Sequence, residues 1–208
     1  MNIHTLKIKL SQRLEKKLPG VSSQNIMLIT PQNSVKYFIP PDNIVLSAVL
    51  ILLFPIREDI HFFLTKRTNT VQYHKGQISL PGGAKEEGEK LIGTALRETD
   101  EEIGISPDSI QIIGQLTPLL VPVTGFQIHP FIGFSEHKPE TATDPMEVES
   151  VFSVSIHSLV HQKTHQSEER TLRGHLCQVP YFHLNNKKVW GATSMILSEF
   201  KTVLNTIL

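Results

Sequence analysis

Three glutamates, Glu98, Glu101 and Glu102, stand within little more than one helical turn of each other, with Arg97 directly before them. On a helix they share a face with Arg97 beside them. Carboxylates brought this close repel, and each raises its neighbour's pKa unless a cation lies between them. An all-oxygen set of this kind suits Mg²⁺ or Mn²⁺, ions commonly shared with substrate phosphates. The chemistry to look for is therefore metal-assisted work on an anionic substrate. A solvated acidic face is the ordinary meaning of such a run, and the flanking residues decide between the two.

The elements that must position these groups are written on either side. Gly83 opens a polar turn that ends at Glu89, and Pro81-Gly82 precedes it, where backbone can approach a ligand closely and present the Gly82 carbonyl. Gly104 is a natural helix stop. Between them, Ile92, Leu96, Thr99 and Ile103 fall on one narrow stripe at helical spacing. The pattern predicts a helix over residues 89–103, with Ile92, Leu96 and Ile103 buried and Glu98 and Glu102 facing a cleft. These flanks turn the weighting toward a metal site.

The 208 residues suit one domain with extensions, divided here into an N-terminal helix and connecting segment (1–43) and a catalytic domain (44–208). Lys plus Arg equals Asp plus Glu at 20 each, so no net field draws the chain to nucleic acid or an anionic membrane. The single cysteine, Cys177, has apolar neighbours and no partner motif; it reads as a packed thiol in a reducing compartment, and the expected location is cytoplasmic. Leu6, Leu10, Leu14 and Leu18 among Lys7, Lys9, Arg13, Lys16 and Lys17 read as a packing helix ended by Pro19-Gly20 rather than a transit peptide. The longest apolar run, 44–55, is too short to cross a bilayer and reads as a buried strand.

In chain order, 21–43 reads as a connecting segment with little regular structure. Val45 to Phe54 and Ile60 to Thr65 read as a hairpin around Arg57-Glu58-Asp59. Lys66, Arg67, His74, Lys75, Gly76 and Gln77 then run into Pro81-Gly82-Gly83 as a basic, polar loop suited to gripping an anion. Strands follow at 110–116, 126–134 and 151–156, with a Pro-broken loop at 118–125. Asn185-Asn186 turns a last hairpin, and 192–206 closes as a helix with Ile196, Phe200 and Val203 or Leu204 inward. His157, His161 and His165 would line up as zinc ligands on a helix, but polar loop residues surround them and zinc is not expected. The balance of elements predicts an α/β fold, a mixed sheet covered by helices on both sides.

Residues 83–105 match G-x5-E-x7-R-E-U-x-E-E-x-G-U, which resembles the Nudix box, with Thr99 at the first apolar (U) position. The preceding stretch, LTKRTNTVQYHKGQISLPGG (64–83), resembles the signature of the coenzyme A pyrophosphatase branch of Nudix hydrolases. It departs from that signature at Thr68 for Ser, Gln72 for Arg and Leu80 for Phe. Residues 123–126, Pro130, Gly133, 144–152 and 189–193 also look like that branch, so the likeness spans about 44–200.

The resemblance implies a Nudix-type α/β/α sandwich and a pyrophosphohydrolase dependent on Mg²⁺ or Mn²⁺. It implies metal ligands in Glu98, Glu101, Glu102 and the Gly82 carbonyl, and an orienting pair in Glu89 and Arg97. A general base would come from these carboxylates or from Glu147 or Glu149. Substrate contacts would come from Lys66, Arg67, His74, Lys75, Gly76 and Gln77. The implied substrate is a small nucleoside diphosphate derivative, first of all coenzyme A or its thioesters. ADP-ribose, dinucleotides or damaged nucleotides are the alternative, and a non-catalytic nucleotide sensor is the alternative of another class. No nucleic acid or membrane partner is implied, and a homodimer stays open.

Overall fold

The computed structural model describes residues 2–32, 43–68 and 76–208. Helices α1 (Ile3–Leu14) and α2 (Val21–Gln24) and strand β1 (Thr30–Pro31) open the chain, and the hairpin β2 (Val45–Ile56) and β3 (Asp59–Arg67) follows. Next come β4 (Ile78–Ser79), β5 (Gly82–Ala84) and α3 (Leu91–Ile103), then β6 (Gln111–Gln115), β7 (Leu119–Val121), β8 (Phe126–Phe134) and β9 (Val148–Ser155). Helix α4 (Ile156–Val160), strands β10 (His165–Leu172), β11 (His175–Leu184) and β12 (Lys187–Trp190), and helix α5 (Ala192–Leu204) complete it. The main sheet is mixed: its path runs β4-β3-β2-β8-β6, with β2 and β8 parallel and the other pairings antiparallel. A smaller sheet joins β1, β11, β10 and β12.

Strand β2 explains why the layers sit where they do. Its apolar run alternates between two cores. Ala48, Leu50, Leu52 and Phe54 pack with Phe63, Ala95 and Ile103 beneath α3. Ile51 and Leu53 point the other way, into a larger core with Leu6 and Leu10 of α1 and Ile196, Phe200, Val203 and Leu204 of α5. A strand buried on both faces carries a continuous hydrophobic run, as the sequence has here. Burial of each such side chain contributes about 1.5–3 kcal/mol. The expected α/β/α layering is observed. The segment read as a connector is more ordered than expected. It holds α2, a 3-10 turn at Asn25–Met27 and β1, and Met27 is fully buried in the larger core; 33–42 lie outside the described residues.

The pairing register builds the site. Strands β2 and β3 pair with each other only near their turn, from Leu53↔Phe62 to Ile56↔Asp59. Further along, β4 pairs with β3 and β5 pairs with β2, so residues 78–84 lie in the fork between them. That wedge brings Gly82-Gly83 beside the end of β3 and under α3.

One other expectation differs from the structure, and one strand was not anticipated. Residues 119–121 form β7 on β8 rather than loop. Strand β10 was not legible, because HQSEERTL is polar on both faces and offers no alternation. The three histidines do not share a helix: α4 ends at Val160, His161 caps it, and His165 begins β10. Asn185 and Asn186 both have positive φ, 48° and 59°, as a tight hairpin turn requires.

Candidate active site

Helix α3 begins at Leu91, two residues later than the sequence predicts, and stops at Gly104, whose φ of 70° closes it in the left-handed region. Its buried positions are Thr94, Ala95, Thr99, Glu102 and Ile103, with Leu91 packed against the same core. The stripe is thus rotated from the expected one: Ile103 is buried, Leu96 is half-buried and Ile92 is 37% exposed. The reason is that Leu91, Ala95 and Thr99, spaced by one turn each, face the sheet and leave Ile92 on the flank. The same rotation carries Glu102 into the buried face, 2% exposed.

Two glycines make room for the carboxylates. A Cβ on Gly83 would collide with the Glu98 carboxylate, and one on Gly82, at φ 150°, would collide with the Ala48 carbonyl. The Gly82 N–H donates to Glu102 Oε2 at 3.4 Å. Glu98 and Glu102 therefore converge on the 82–83 backbone from the same side of the helix.

Arg97 organises the outer flank. Its Nε donates to Glu89 Oε1 at 3.0 Å, its Nη1 to Glu98 at 2.9 Å and Glu101 at 2.7 Å, and its Nη2 to the Ala84 carbonyl at 3.2 Å. Glu89 also accepts from Thr94 Oγ1 at 2.7 Å and the Glu86 N–H at 3.2 Å. These bonds, Arg97 first, hold the Glu89 carboxyl down at about 2 and raise the Arg97 pKa further. Glu89 and Arg97, expected as a pair, are in contact. Glu101 is drawn onto this flank and its side chain is 59% exposed.

The inner flank comes from strands far away in sequence. The β3–β9 ladder shifts register between Lys66 and Arg67, which leaves Glu149 as an extra residue on β9. Arg67 Nη1 donates to Glu102 Oε1 at 3.1 Å and its Nη2 to Glu147 Oε2 at 3.3 Å. Lys66 Nζ pairs with Glu149 at 2.6 Å. Glu147 belongs to the carboxylate group, because its charge acts on both Glu98 and Glu102. Gly76 and Gln77 close the loop base, where the Gln77 carbonyl accepts from the Arg67 N–H at 3.0 Å. His74 and Lys75 lie outside the described residues.

Burial, with repulsion from Glu98 and Glu147, pushes the Glu102 carboxyl up to about 8 against the opposing pull of Arg67. Burial likewise raises Glu98, opposed by Arg97. Among the described residues no three His, Cys, Asp or Glu side chains form a ready-made metal cage; the two guanidinium groups lie among the carboxylates instead. The donor set nonetheless fits Mg²⁺ or Mn²⁺: it is all oxygen, one guanidinium shared between Glu102 and Glu147 is the cation Glu102 has, and the missing Cβ of Gly83 leaves the Glu98 carboxylate pressed against the backbone. The contact the sequence could not supply is Arg67 to Glu102 and Glu147. It spans 35 and 80 residues, and no local pattern encodes it.

Comparison with known proteins gives the family and the fold. The NUDIX domain family matches residues 46–174. Nudix hydrolase 15, mitochondrial, of Arabidopsis thaliana is 35% identical over 76% of the chain, and Nudix hydrolase 22, chloroplastic, of the same plant is 34% identical over 76%. The chain spans 58% and 55% of the length of those two relatives. The Nudix hydrolase NudL of Enterobacter sp. (strain 638) is 35% identical over 74% of the chain and 79% of its own length. In fold, the Nudix hydrolase RenU of M. smegmatis superposes with a TM-score of 0.55 at 14% identity, over 86% of this chain and 95% of that one. A family match over more than half the chain, on the helix that brings Glu98 and Glu102 to the Gly82-Gly83 turn, makes this protein a member of the Nudix hydrolase family.

Proposed function

We propose that this protein hydrolyses the pyrophosphate bond of a nucleoside diphosphate derivative, with coenzyme A or its thioesters as the favoured substrate. The observation that carries the reading is the convergence of Glu98 and Glu102 on the Gly82-Gly83 turn, with Glu147 joined to Glu102 through their shared Arg67. Glu98 and Glu102, with Glu101 from the flank and the Gly82 carbonyl, would hold Mg²⁺ or Mn²⁺. When bound, the metal supplies charge neutralisation at the phosphates and a lower pKa for the attacking water.

The chain's own groups do the rest. Arg97 clamps Glu98 and Glu101 against Glu89, so the helix face keeps its shape as charge builds. Glu147 is the favoured general base, because it shares the Arg67 guanidinium with Glu102, whereas Glu149 pairs with Lys66. Lys66, Arg67, Gly76 and Gln77, with His74 and Lys75, would receive the anionic substrate. Cleavage of coenzyme A would give 3′,5′-ADP and 4′-phosphopantetheine. We favour a cytoplasmic setting, in keeping with a single, buried cysteine.

The resemblance of residues 64–83 supports coenzyme A. Gln72, in place of an arginine of that signature, favours ADP-ribose or a dinucleotide as the second reading. The test is a panel of coenzyme A, acetyl-coenzyme A, ADP-ribose, NADH and nucleoside triphosphates with Mg²⁺ or Mn²⁺, with products resolved by mass. Highest kcat/KM on a coenzyme A species is expected; preference for ADP-ribose would move the assignment to the second reading.

A further inference from the structure

Glu102 is almost fully buried, yet the cation it meets is a side chain from another element, Arg67 of β3. The fit is incomplete. Arg67 gives one nitrogen to Glu102 and one to Glu147, while its Nε is buried with no hydrogen-bond partner. Its backbone is fixed by the Gln77 carbonyl and the β9 ladder, so the side chain can change partners without moving the strand. Lys66, next in sequence, is held by Glu149 and does not compete. At Glu102, only 2% exposed, a guanidinium and a divalent cation compete for the same oxygens, because like charges at contact distance repel strongly where water is scarce; Arg97 meets Glu98 and Glu101 on a more open flank.

We propose that Arg67 is an exchangeable counter-ion: it holds Glu102 and Glu147 in the metal-free protein, a divalent cation at Glu102 displaces it, and the displaced guanidinium then pairs with the diphosphate of the ligand. This rests on the metal-site reading above. Its consequence is a coupling: metal releases the arginine that the diphosphate needs, and diphosphate captures the arginine that would otherwise compete with metal. Such coupling is reciprocal between the two ligands. Arg67 is a positioning and recognition group in this scheme, and the planar fork of arginine lets it span two carboxylates or one phosphate equally well.

The test is calorimetric and needs no turnover. Mn²⁺ alone, and Mn²⁺ in the presence of α,β-methylene-ADP, are titrated into the full chain as wild type, Arg67→Met, Arg67→Lys and Glu102→Gln, with far-UV circular dichroism and a thermal melt for each. Arg67→Met should bind Mn²⁺ alone more tightly than wild type, on the order of 10-fold, because its competitor is gone. The nucleotide should tighten Mn²⁺ less in Arg67→Met than in wild type. Arg67→Lys, too short to span both carboxylates, should fall between and decides the matter if Arg67→Met does not fold. Glu102→Gln should weaken Mn²⁺ binding. If Glu102→Gln weakens it and the folded Arg67 variants bind Mn²⁺ no more tightly than wild type, the exchange is wrong and the metal site stands. If Glu102→Gln binds Mn²⁺ as wild type does, the metal-site reading fails and the exchange fails with it.

Discussion

Arg97 and Arg67 address the same group of carboxylates and are held in opposite ways. Arg97 sits on α3, uses all three guanidinium nitrogens, and meets Glu89, Glu98, Glu101 and the Ala84 carbonyl, none more than 13 residues away. Arg67 comes from β3, spends two nitrogens on Glu102 and Glu147, and leaves its buried Nε unpaired. The first is a saturated local clamp. The second is an unsaturated long-range contact on the most deeply buried carboxylate of the set. The difference separates a group that maintains the shape of the site from one placed to change partners.

The sharpest way to break the comparison is at Glu102. Glu102→Gln keeps the size and removes the anion, so kcat should fall at least ~10²–10³-fold at saturating metal. Metal-free stability should move the other way. The folded-state pKa is raised from 4.5 to about 8, so the wild type gains stability from the protonated form below 4.5 and loses it as pH rises through 8. Thermal melts from pH 5 to pH 9 without metal should decline for wild type and stay flatter for Glu102→Gln. Glu86→Gln, exposed in the turn, is the control for both measurements, and its stability should stay within about 0.5 kcal/mol of wild type.

Arg97→Gln comes next. It leaves Glu89, Glu98 and Glu101 without their shared cation, and should cost about 1–3 kcal/mol in urea unfolding, discounted because these groups are partly exposed. Activity should fall ~10–100-fold, as when an orienting contact around a ligand set is lost. If Arg97→Gln melted like wild type, the contrast with Arg67 would lose its structural half.

The smallest effect sharpens the clamp through pH. The Glu89 pKa is lowered from 4.5 to about 2, so its pair with Arg97 stabilises the fold above 4.5 and is lost as pH falls through 2. Glu89→Gln should be less stable than wild type at pH 6 and approach it by pH 2. A constant gap between the two across that window would mean the ion pair contributes nothing.

What was legible in the sequence follows the same division. Glu89, Arg97, Glu98 and Gly104 are spaced along one turn and one helix, so the resemblance could name Glu89 and Arg97 as a pair, and the two are in contact, while the further contacts of Arg97 with Glu98 and Glu101 were not named. The hairpin β2–β3 and the helix α5 were equally plain, because apolar periodicity carries them. The rotation of α3 was not legible. Which of two adjacent stripes, Ile92-Leu96 or Leu91-Ala95, meets the sheet depends on the wedge of β4 and β5 in the β2–β3 fork, and no residue in the helix reports that. The same holds for Arg67. Its placement on Glu102 depends on a register shift in the β3–β9 ladder, so the sequence could offer it only as a cation near a phosphate.

The central claim is that the buried face of α3 and the Gly82-Gly83 turn form one divalent-cation site. The most direct measurement is an anomalous difference map from crystals of the full chain grown with Mn²⁺. The account predicts a peak bounded by Glu98, Glu102 and the Gly82 carbonyl, with the Arg67 guanidinium turned away from Glu102. A map showing Arg67 still on Glu102 and Mn²⁺ bound elsewhere, in protein that turns over substrate with that metal, would contradict it.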